Sequence, residues 1–356
     1  MGVSQKGARK PLASIPYIDI RGGTQLDLLD AHLRGARDLM AAATRTFGPL
    51  GELASKAALP LGDRVSCRWL ARNNNPYLDE IHAIADRVKR DGVYFLNVCF
   101  EWGCTSGVWQ TDAGPLLRRV LDWPFPALGE NIVVAHQTGP AGDFLNATWP
   151  GVTGVYQASA PGRFAAAINQ APMREHGAGF ALDWLQARVA TGKTDAIPPS
   201  HLLRQVFETA RSYDEAKQRL CDTPLAVPAI FILAGIENGE GCVIERTETQ
   251  FAVREMSDGR VCATNHFEEA FEDRGMGWRP RPIDSAGRLS CANMLDGEDD
   301  AWFKPPVANI NSRLAMTANA ATGTVEVLGT EGVDAVTGVF RLAAQATTSR
   351  VLGNSR

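Results

Sequence analysis

The chain has 356 residues, 45% hydrophobic and 21% charged, with a net charge of −4. This allows a sizeable core in one large domain or two smaller ones. It excludes the strongly basic face that nucleic-acid binding needs, and no apolar run is long enough for a transmembrane segment. The opening "MGVSQKGARKPLASIPYIDI" is positively charged but has no apolar centre, so no secretory signal is expected. Lys6 stands where a myristoylation signal needs Ser or Thr. Seven cysteines without regular spacing argue against a disulfide framework and for a reducing, cytoplasmic setting. Asn146-Ala147-Thr148 has the form of a glycosylation acceptor, which without a secretory signal reads as coincidence.

The first hundred residues read as helical. "TQLDLLDAHLRGARDLMAAATRTFG" has helical apolar spacing and ends at Gly48, a stop signal. "NPYLDEIHAIADRVKRDG" is a second amphipathic helix, with Asn75 as its cap, Pro76 in its first turn and Gly92 after its basic end. From Val93 the texture changes, and "VYFLNVCFEW" is rich in aromatic and β-branched residues, as strands are. Further strands follow in "NIVVAHQ", "TGVYQAS", "RFAAAIN", "VPAIFILAG", "GCVIER", "QFAVREM", "GRVCATNHF", "SRLAMTANAATGTVEVLG" and "VTGVFRLAA", several separated by Gly, Asn or Asp turns. Two helices interrupt them: "HLLRQVFETARS", capped by Ser200, and "SYDEAKQRLCD", where Ser212 and Glu215 have capping-box spacing. Helices followed by many antiparallel strands predict an α+β layered fold. No internal repeat or low-complexity linker is seen, and "TTSRVLGNSR" reads as a frayed end.

No Walker loop, GxGxxG, HExxH, GxSxG or CxxC occurs. Cys262 and His266 are four apart, but a zinc site needs more ligands, so no metal or cofactor is expected. Cys104 reads in two ways. Free cysteine packs as a small hydrophobe, and Cys104 follows an apolar run. Against that, Gly103 allows a strained Gly–Cys peptide that a thiol could attack, and Thr105 and Ser106 put polar groups beside it. If "TSGVWQ" and "LLRRVLDW" form a hairpin, Arg119 and Asp122 return near Cys104, where an Arg favours thiolate and an Asp can hold an amine. Arg119 and Asp122 could instead be a surface ion pair, but they sit among Leu116, Leu117, Val120, Leu121, Trp123 and Phe125, and charges in so apolar a segment need partners.

"CTS" at Cys104 and "RVLD" at Arg119 resemble the start of the mature chain in N-terminal-nucleophile amide hydrolases: acid ceramidase, N-acylethanolamine acid amidase, choloylglycine hydrolase and penicillin acyltransferase. The acid ceramidase branch is the nearest in pattern. "NPYLDEI" and "LNVCFEWGCTSG" resemble its pro-segment and cleavage junction. "AAINQAPM" and "ATNHF" resemble its two Asn strands, and "DSAGRL" the Arg that follows. "LLRQVFETARSYDEAKQRLCDTPL", "FILAG" and "GEGCVIER" resemble its middle region. The similarity runs from about Asn75 to Leu328. Gly107 departs from an aliphatic position, Trp123 replaces a usual Tyr or Phe, and "INQAP" stands where many members carry Asn-Glu.

The resemblance implies a four-layer αββα sandwich, with residues 1–103 a helical pro-segment retained as the first chain and 104–356 the catalytic chain. It implies self-cleavage at Gly103–Cys104, making Cys104 an N-terminal nucleophile whose α-amine, with a reference pKa of about 7.7–8.0, is its own base. Asp122 would hold that amine, and Arg119 would pair with Asp122 and lower the thiol pKa. Asn265 would donate to the oxyanion, Asn169 would do so or position, and Arg288 would hold charge or substrate. Alone, Asn169 and Asn265 are ordinary strand-end residues. Trp102, Trp109, Trp123 and Trp149 are core, with some available to line an apolar acyl pocket. The expected substrate is a small or lipid-like N-acyl amide, and an oligomer is allowed. The alternatives are acyl transfer to an amine, a binding protein that never matures, and a metal-dependent amidase.

Overall fold

The computed structural model describes residues 11–46, 52–98, 102–177, 179–271, 277–281, 283–299 and 302–343. Five helices precede the sheets: α1 (Gln25–Ala31), α2 (Leu33–Thr46), α3 (Glu52–Arg72), α4 (Leu78–Val88) and α5 (Val93–Asn97). Thr24 and Asp27 form a capping box that starts α1. The single helix expected from Thr24 is two. His32 leaves helical geometry, with φ −137°, and divides α1 from α2. Gly48, the expected stop, lies outside the described residues. In α4, Tyr77 rather than Asn75 is the N-cap, and Lys89 in left-handed geometry ends the helix before Gly92.

The largest departure is at "VYFLN", expected as strand but folded as α5. The Asp63 carboxylate, on α3, accepts the backbone N–H groups of Gly92 (2.6 Å) and Phe95 (2.9 Å). A carboxylate on the first N–H groups of a turn favours helix, so a tertiary contact overrides strand propensity.

Two sheets form the body. The first has the order β1 (Tyr17–Asp19), β4 (Val133–Gly139), β5 (Gly142–Thr148), β6 (Gln157–Ala160), β7 (Phe164–Gln170), β9 (Ala229–Ala234), β10 (Gly241–Arg246), β11 (Phe251–Glu255). Among the described strands of this sheet, only β1, from the N-terminal part, runs parallel to its neighbour, β4. The second has β12 (Arg260–Ala263), β2 (Gly103–Thr111), β3 (Gly114–Asp122), β14 (Ser312–Asn319), β15 (Thr324–Glu331) and β16 (Asp334–Ala335), with β17 (Phe340–Leu342) also on β15. A two-stranded ribbon joins β8 (Met173–Glu175) to β13 (Gly277–Arg279).

The sheets face each other, with β2, β3 and β14 against β7 and β2 and β3 also against β9. Ala165, Ala166 and Ala167 of β7 and the run Ile230–Leu233 of β9 are fully buried, alternating between the space between the sheets and the face under the helices. The outer face of the first sheet carries α7 (Pro199–Thr209) and α8 (Tyr213–Asp222), and that of the second carries α9 (Ser285–Met294). The order helix, sheet, sheet, helix is the expected αββα layering. Pro198 rather than Ser200 caps α7, which begins two residues earlier than expected. Ser212 does cap α8, accepting Glu215 N–H at 3.2 Å. Two helices were not anticipated: α6 (Phe180–Thr191) and α9, which Asp284 caps. A Cβ on Gly287 would lie 2.1 Å from the Asp284 carboxylate, so glycine lets that cap close. Asn146 is buried and donates to Gln137, which does not suit a glycosylation acceptor.

Candidate active site

The expected hairpin is present. β2 and β3 pair so that Gly103 faces Asp122, Cys104 faces Leu121 and Ser106 faces Arg119. Side chains alternate along a strand, so residues 119 and 122, three apart, project to opposite faces of β3. The site is therefore built on both faces of one hairpin. Arg119 does not pair with Asp122 as expected.

One face looks into the space between the sheets. Arg119, fully buried, donates to Asn169 Oδ1 (2.7 Å), Gln157 Oε1 (3.0 Å) and Ser106 Oγ (3.3 Å). Ser106 Oγ also donates to Asn169 Oδ1 (2.7 Å), whose Nδ2 donates to the carbonyls of Ala263 (3.0 Å) and Thr264 (3.1 Å). The Cys104 thiol points the same way, 3.8 Å from the Ile168 carbonyl. Burial pushes the Cys104 pKa up. The Arg119 charge and a hydrogen bond from the Gln170 backbone work against that but do not prevail.

The other face looks toward α9. Arg288 donates to the Cys104 carbonyl, to Thr105 Oγ1 (2.9 Å) and to Asn265 Oδ1 (2.9 Å), and it is 3.6 Å from the Asp122 carboxylate. Asp122 also accepts Ser312 Oγ (2.7 Å) and Asn309 Nδ2 (2.8 Å). Burial raises its pKa, opposed first by the Arg288 charge and then by Ser312 and Asn309.

Asn265 joins the two faces. Its Oδ1 accepts the Cys104 N–H at 2.7 Å, and its Nδ2 donates to the Gln170 carbonyl at 2.8 Å. Ser285 Oγ fixes it by accepting the Asn265 N–H at 2.9 Å. With the Gly103–Cys104 bond intact, Asn265 thus offers Cys104 an acceptor, and the donor ends of Asn169 and Asn265 are both engaged.

All six expected side chains converge: Cys104, Arg119, Asn169, Asn265 and Arg288 are fully buried and Asp122 is 2% exposed. Gly103 lies outside the left-handed region, and a Cβ there would make only ordinary contacts, 3.4 Å from Asp122 Cβ. The expected strain at this peptide is not seen. Gly107 has a steric role instead, since a Cβ would come within 2.8 Å of Cys262 Sγ on β12. Arg313 lies apart, donating to the Phe125 carbonyl. Sequence reasoning placed Ser106 beside Cys104 without a partner, held Gln170 and Ser285 within family-like motifs without a role, and missed Gln157, Asn309 and Ser312, which no motif marks.

The tryptophans divide. Trp109 donates to the Leu295 carbonyl in a separate cluster with Cys262 and Leu289. Trp102, Trp123, Trp149 and Tyr156 pack ring on ring, with Trp102 and Tyr156 centroids 4.9 Å apart. A cavity of about 400 Å³ begins at Gln170, Ala171 and Arg281 and runs under α6, past Met173, Trp184 and Val227.

The chain is similar to several known proteins. The family model of acyl-coenzyme A:6-aminopenicillanic acid acyl-transferase matches residues 178–285, a span that holds Asn265 but not Cys104. Acid ceramidase of Heterocephalus glaber is 31% identical over 222 residues, 56% of this chain and 53% of that protein. Acid ceramidase of Bos taurus is 30% identical over 196 residues, 49% and 48% of the two. The chain spans about half the length of the curated relatives it matches. Among solved structures, the N-acylethanolamine-hydrolyzing acid amidase ortholog of Caenorhabditis elegans gives a TM-score of 0.48 at 19% identity, covering 61% of this chain and 93% of that one. A mutant conjugated bile acid hydrolase from Clostridium perfringens gives 0.41 at 12% identity, covering 67% and 92%. The family model and the curated relatives point to one group, the N-terminal-nucleophile amide hydrolases, and it is this family that the chain resembles.

Proposed function

We propose that the chain cuts itself between Gly103 and Cys104 and then hydrolyses linear amide bonds of N-acyl amides with Cys104 as nucleophile. One observation carries this. Before any cut, Cys104 is gripped on both sides, its N–H by Asn265 and its carbonyl by Arg288, with Asp122 beside Arg288. A cysteine that merely fills a core needs no such grip.

In the cut, Cys104 Sγ adds to the Gly103 carbonyl carbon. The C–N bond breaks as a thioester forms, and the thiol proton goes to the departing nitrogen. Water then hydrolyses the thioester, leaving a Gly103 carboxylate, a free thiol and a new α-amine. In turnover that amine accepts the thiol proton as Sγ attacks the substrate carbonyl and passes it to the leaving amine. Water releases the acid from the acyl-enzyme. Asp122 holds the amine, as the strand neighbour of the residue that departs. Arg119 supplies positive charge to the thiol from the other face. Asn265 exchanges its partner once the backbone N–H becomes an amine, and one good oxyanion donor is worth about 3–4 kcal/mol.

Cys104 is sealed from solvent in the uncut chain, so cutting also has to open the site. The N-terminal elements β1 and α4 stay docked afterwards. β1 is an edge strand on β4, and Asn75, Tyr77 and Glu80 bond His201, Glu208 and Arg204. The aromatic cluster and the cavity below α6 favour an apolar, lipid-like acyl group, in keeping with relatives named for ceramide. A second reading, transfer of the acyl group to an amine, is favoured by the family model's acyl-transferase description.

A panel of N-acyl amides of graded acyl length tests both. Amine release that follows acyl length, survives chelators and vanishes in Cys104→Ala supports hydrolysis. Acyl products that appear only with an added amine support transfer. Turnover by Cys104→Ala equal to wild type removes both.

A further inference from the structure

Gln170, at the end of β7, touches the site with its backbone N–H, its backbone carbonyl and its side-chain Oε1. Its backbone N–H lies against the Cys104 thiol, and its carbonyl accepts Asn265 Nδ2 at 2.8 Å. Its side-chain Oε1 accepts the backbone N–H of Trp102 at 2.9 Å, two residues before Cys104. The side chain is 6% exposed, and among the described residues its Nε2 has no hydrogen-bond partner. A buried amide donor without a partner is costly, and the acceptor of a bound substrate would satisfy it. Gln170 also lines the mouth of the 400 Å³ cavity.

We propose that Gln170 acts twice: first as a positioning residue whose Oε1 holds Trp102 so that Gly103–Cys104 lies over the thiol, then as a substrate-binding residue whose freed amide reads the polar group beside the scissile bond. This rests on the self-cleaving hydrolase reading. Cutting lets the segment ending at Gly103 move away, which returns Oε1 to the pocket beside Nε2. The pocket then offers one acceptor and one donor side by side, the pattern that complements a carboxamide or a hydroxyl next to an amide. The Gln170 amide is itself neutral, while Arg174, Glu248 and Arg281 line the same cavity.

Two variants separate the roles. Gln170→Met removes donor and acceptor at similar size, and self-cleavage slows about tenfold or more. Gln170→Glu keeps the acceptor for Trp102 and cuts within about threefold of wild type, but it loses the donor while ionised. The cut Gln170→Glu enzyme then shows a KM raised about tenfold at pH 8, with kcat less affected. Acidification restores KM, because the neutral carboxyl regains an O–H donor and burial raises its pKa into reach. Wild type shows no such KM recovery, and a packing role alone does not produce one. Cleavage time courses by mass and KM from pH 5 to 8 are the readouts. If wild type cuts and turns over but Gln170→Glu has the wild-type KM profile, or Gln170→Met cuts at the wild-type rate, the Gln170 assignment is overturned and the hydrolase reading stands. A wild-type chain that never cuts overturns both. Should Gln170→Met fail to fold, the isosteric Gln170→Glu still decides.

Discussion

Two buried polar clusters use their hydrogen bonds differently: one ties the α4 region to α7, and the other surrounds Cys104. Around His201 everything is paired: its two ring nitrogens meet Asn75 (2.9 Å) and Thr153 (3.0 Å). Arg204 is held by both oxygens of Glu80 (2.5 and 3.1 Å), by Glu208 (2.8 Å) and by the Thr153 carbonyl (2.9 Å). Around Cys104 capacity is left over. Arg119 meets only neutral acceptors, and among the described residues its Nη2, like Gln170 Nε2, has no partner. Asp122 and Arg288 stand 3.6 Å apart. A satisfied network rigidifies, whereas unspent donors beside a thiol are a liability unless chemistry or a ligand uses them. The first cluster is a clasp and the second a site.

Substitutions should separate the two. The largest contrast is Asp122→Asn against Arg204→Met. Asp122→Asn should slow self-cleavage a hundredfold or more, about 3 kcal/mol of barrier, with a far smaller effect on urea unfolding. Arg204→Met should leave cutting within about threefold but destabilise by about 3 kcal/mol, the low end for a broken buried pair because both glutamates reach solvent. The reverse pattern breaks the distinction.

Next is pH. Burial and the Arg204 charge hold His201 down at about 3, against an ordinary value of 6.5. Below about pH 6.5 the unfolded chain takes up a proton that the folded chain refuses, so stability falls with acidification until about pH 3. The slope approaches about 1.4 kcal/mol per pH unit in that window. His201→Gln should flatten it in urea titrations at pH 7, 5.5 and 4, and an unchanged slope would remove His201 from the account.

Arg119→Met comes third. It strands Asn169, Gln157 and Ser106 at a cost of about 1–3 kcal/mol. Because Arg119 lowers a thiol that burial raises, its loss should move the alkaline rise of the cleavage rate to higher pH. A pH profile that does not move would show that Arg119 acts only through packing. Ser312→Ala is the smallest, removing one hydrogen bond to Asp122 for about 1 kcal/mol. Cleavage should slow only severalfold.

Much of this was legible in the residues, and the failures are instructive. The β2–β3 hairpin, the run of antiparallel strands and the six converging side chains follow from alternation, turn residues and the family resemblance. That Arg119 and Asp122 cannot pair was also legible, since a spacing of three on a strand sends them to opposite faces. Helix α5 was not, because it depends on the Asp63 carboxylate 29 and 32 residues from the N–H groups it caps. The roles of Gln170, Asn309 and Ser312 were invisible because what they touch, Trp102 and Asp122, is fixed by sheet register. The supposed strain at Gly103 was read from a residue type that permits strain without requiring it.

The most direct test is the intact mass of freshly purified wild-type protein beside Cys104→Ala. Wild type should resolve under denaturing conditions into two chains, the second beginning at Cys104, their masses summing to the precursor plus one water, while Cys104→Ala stays whole. A wild-type chain that remains whole on prolonged incubation across pH 4 to 9, or a Cys104→Ala chain cut at the same bond, would contradict the account.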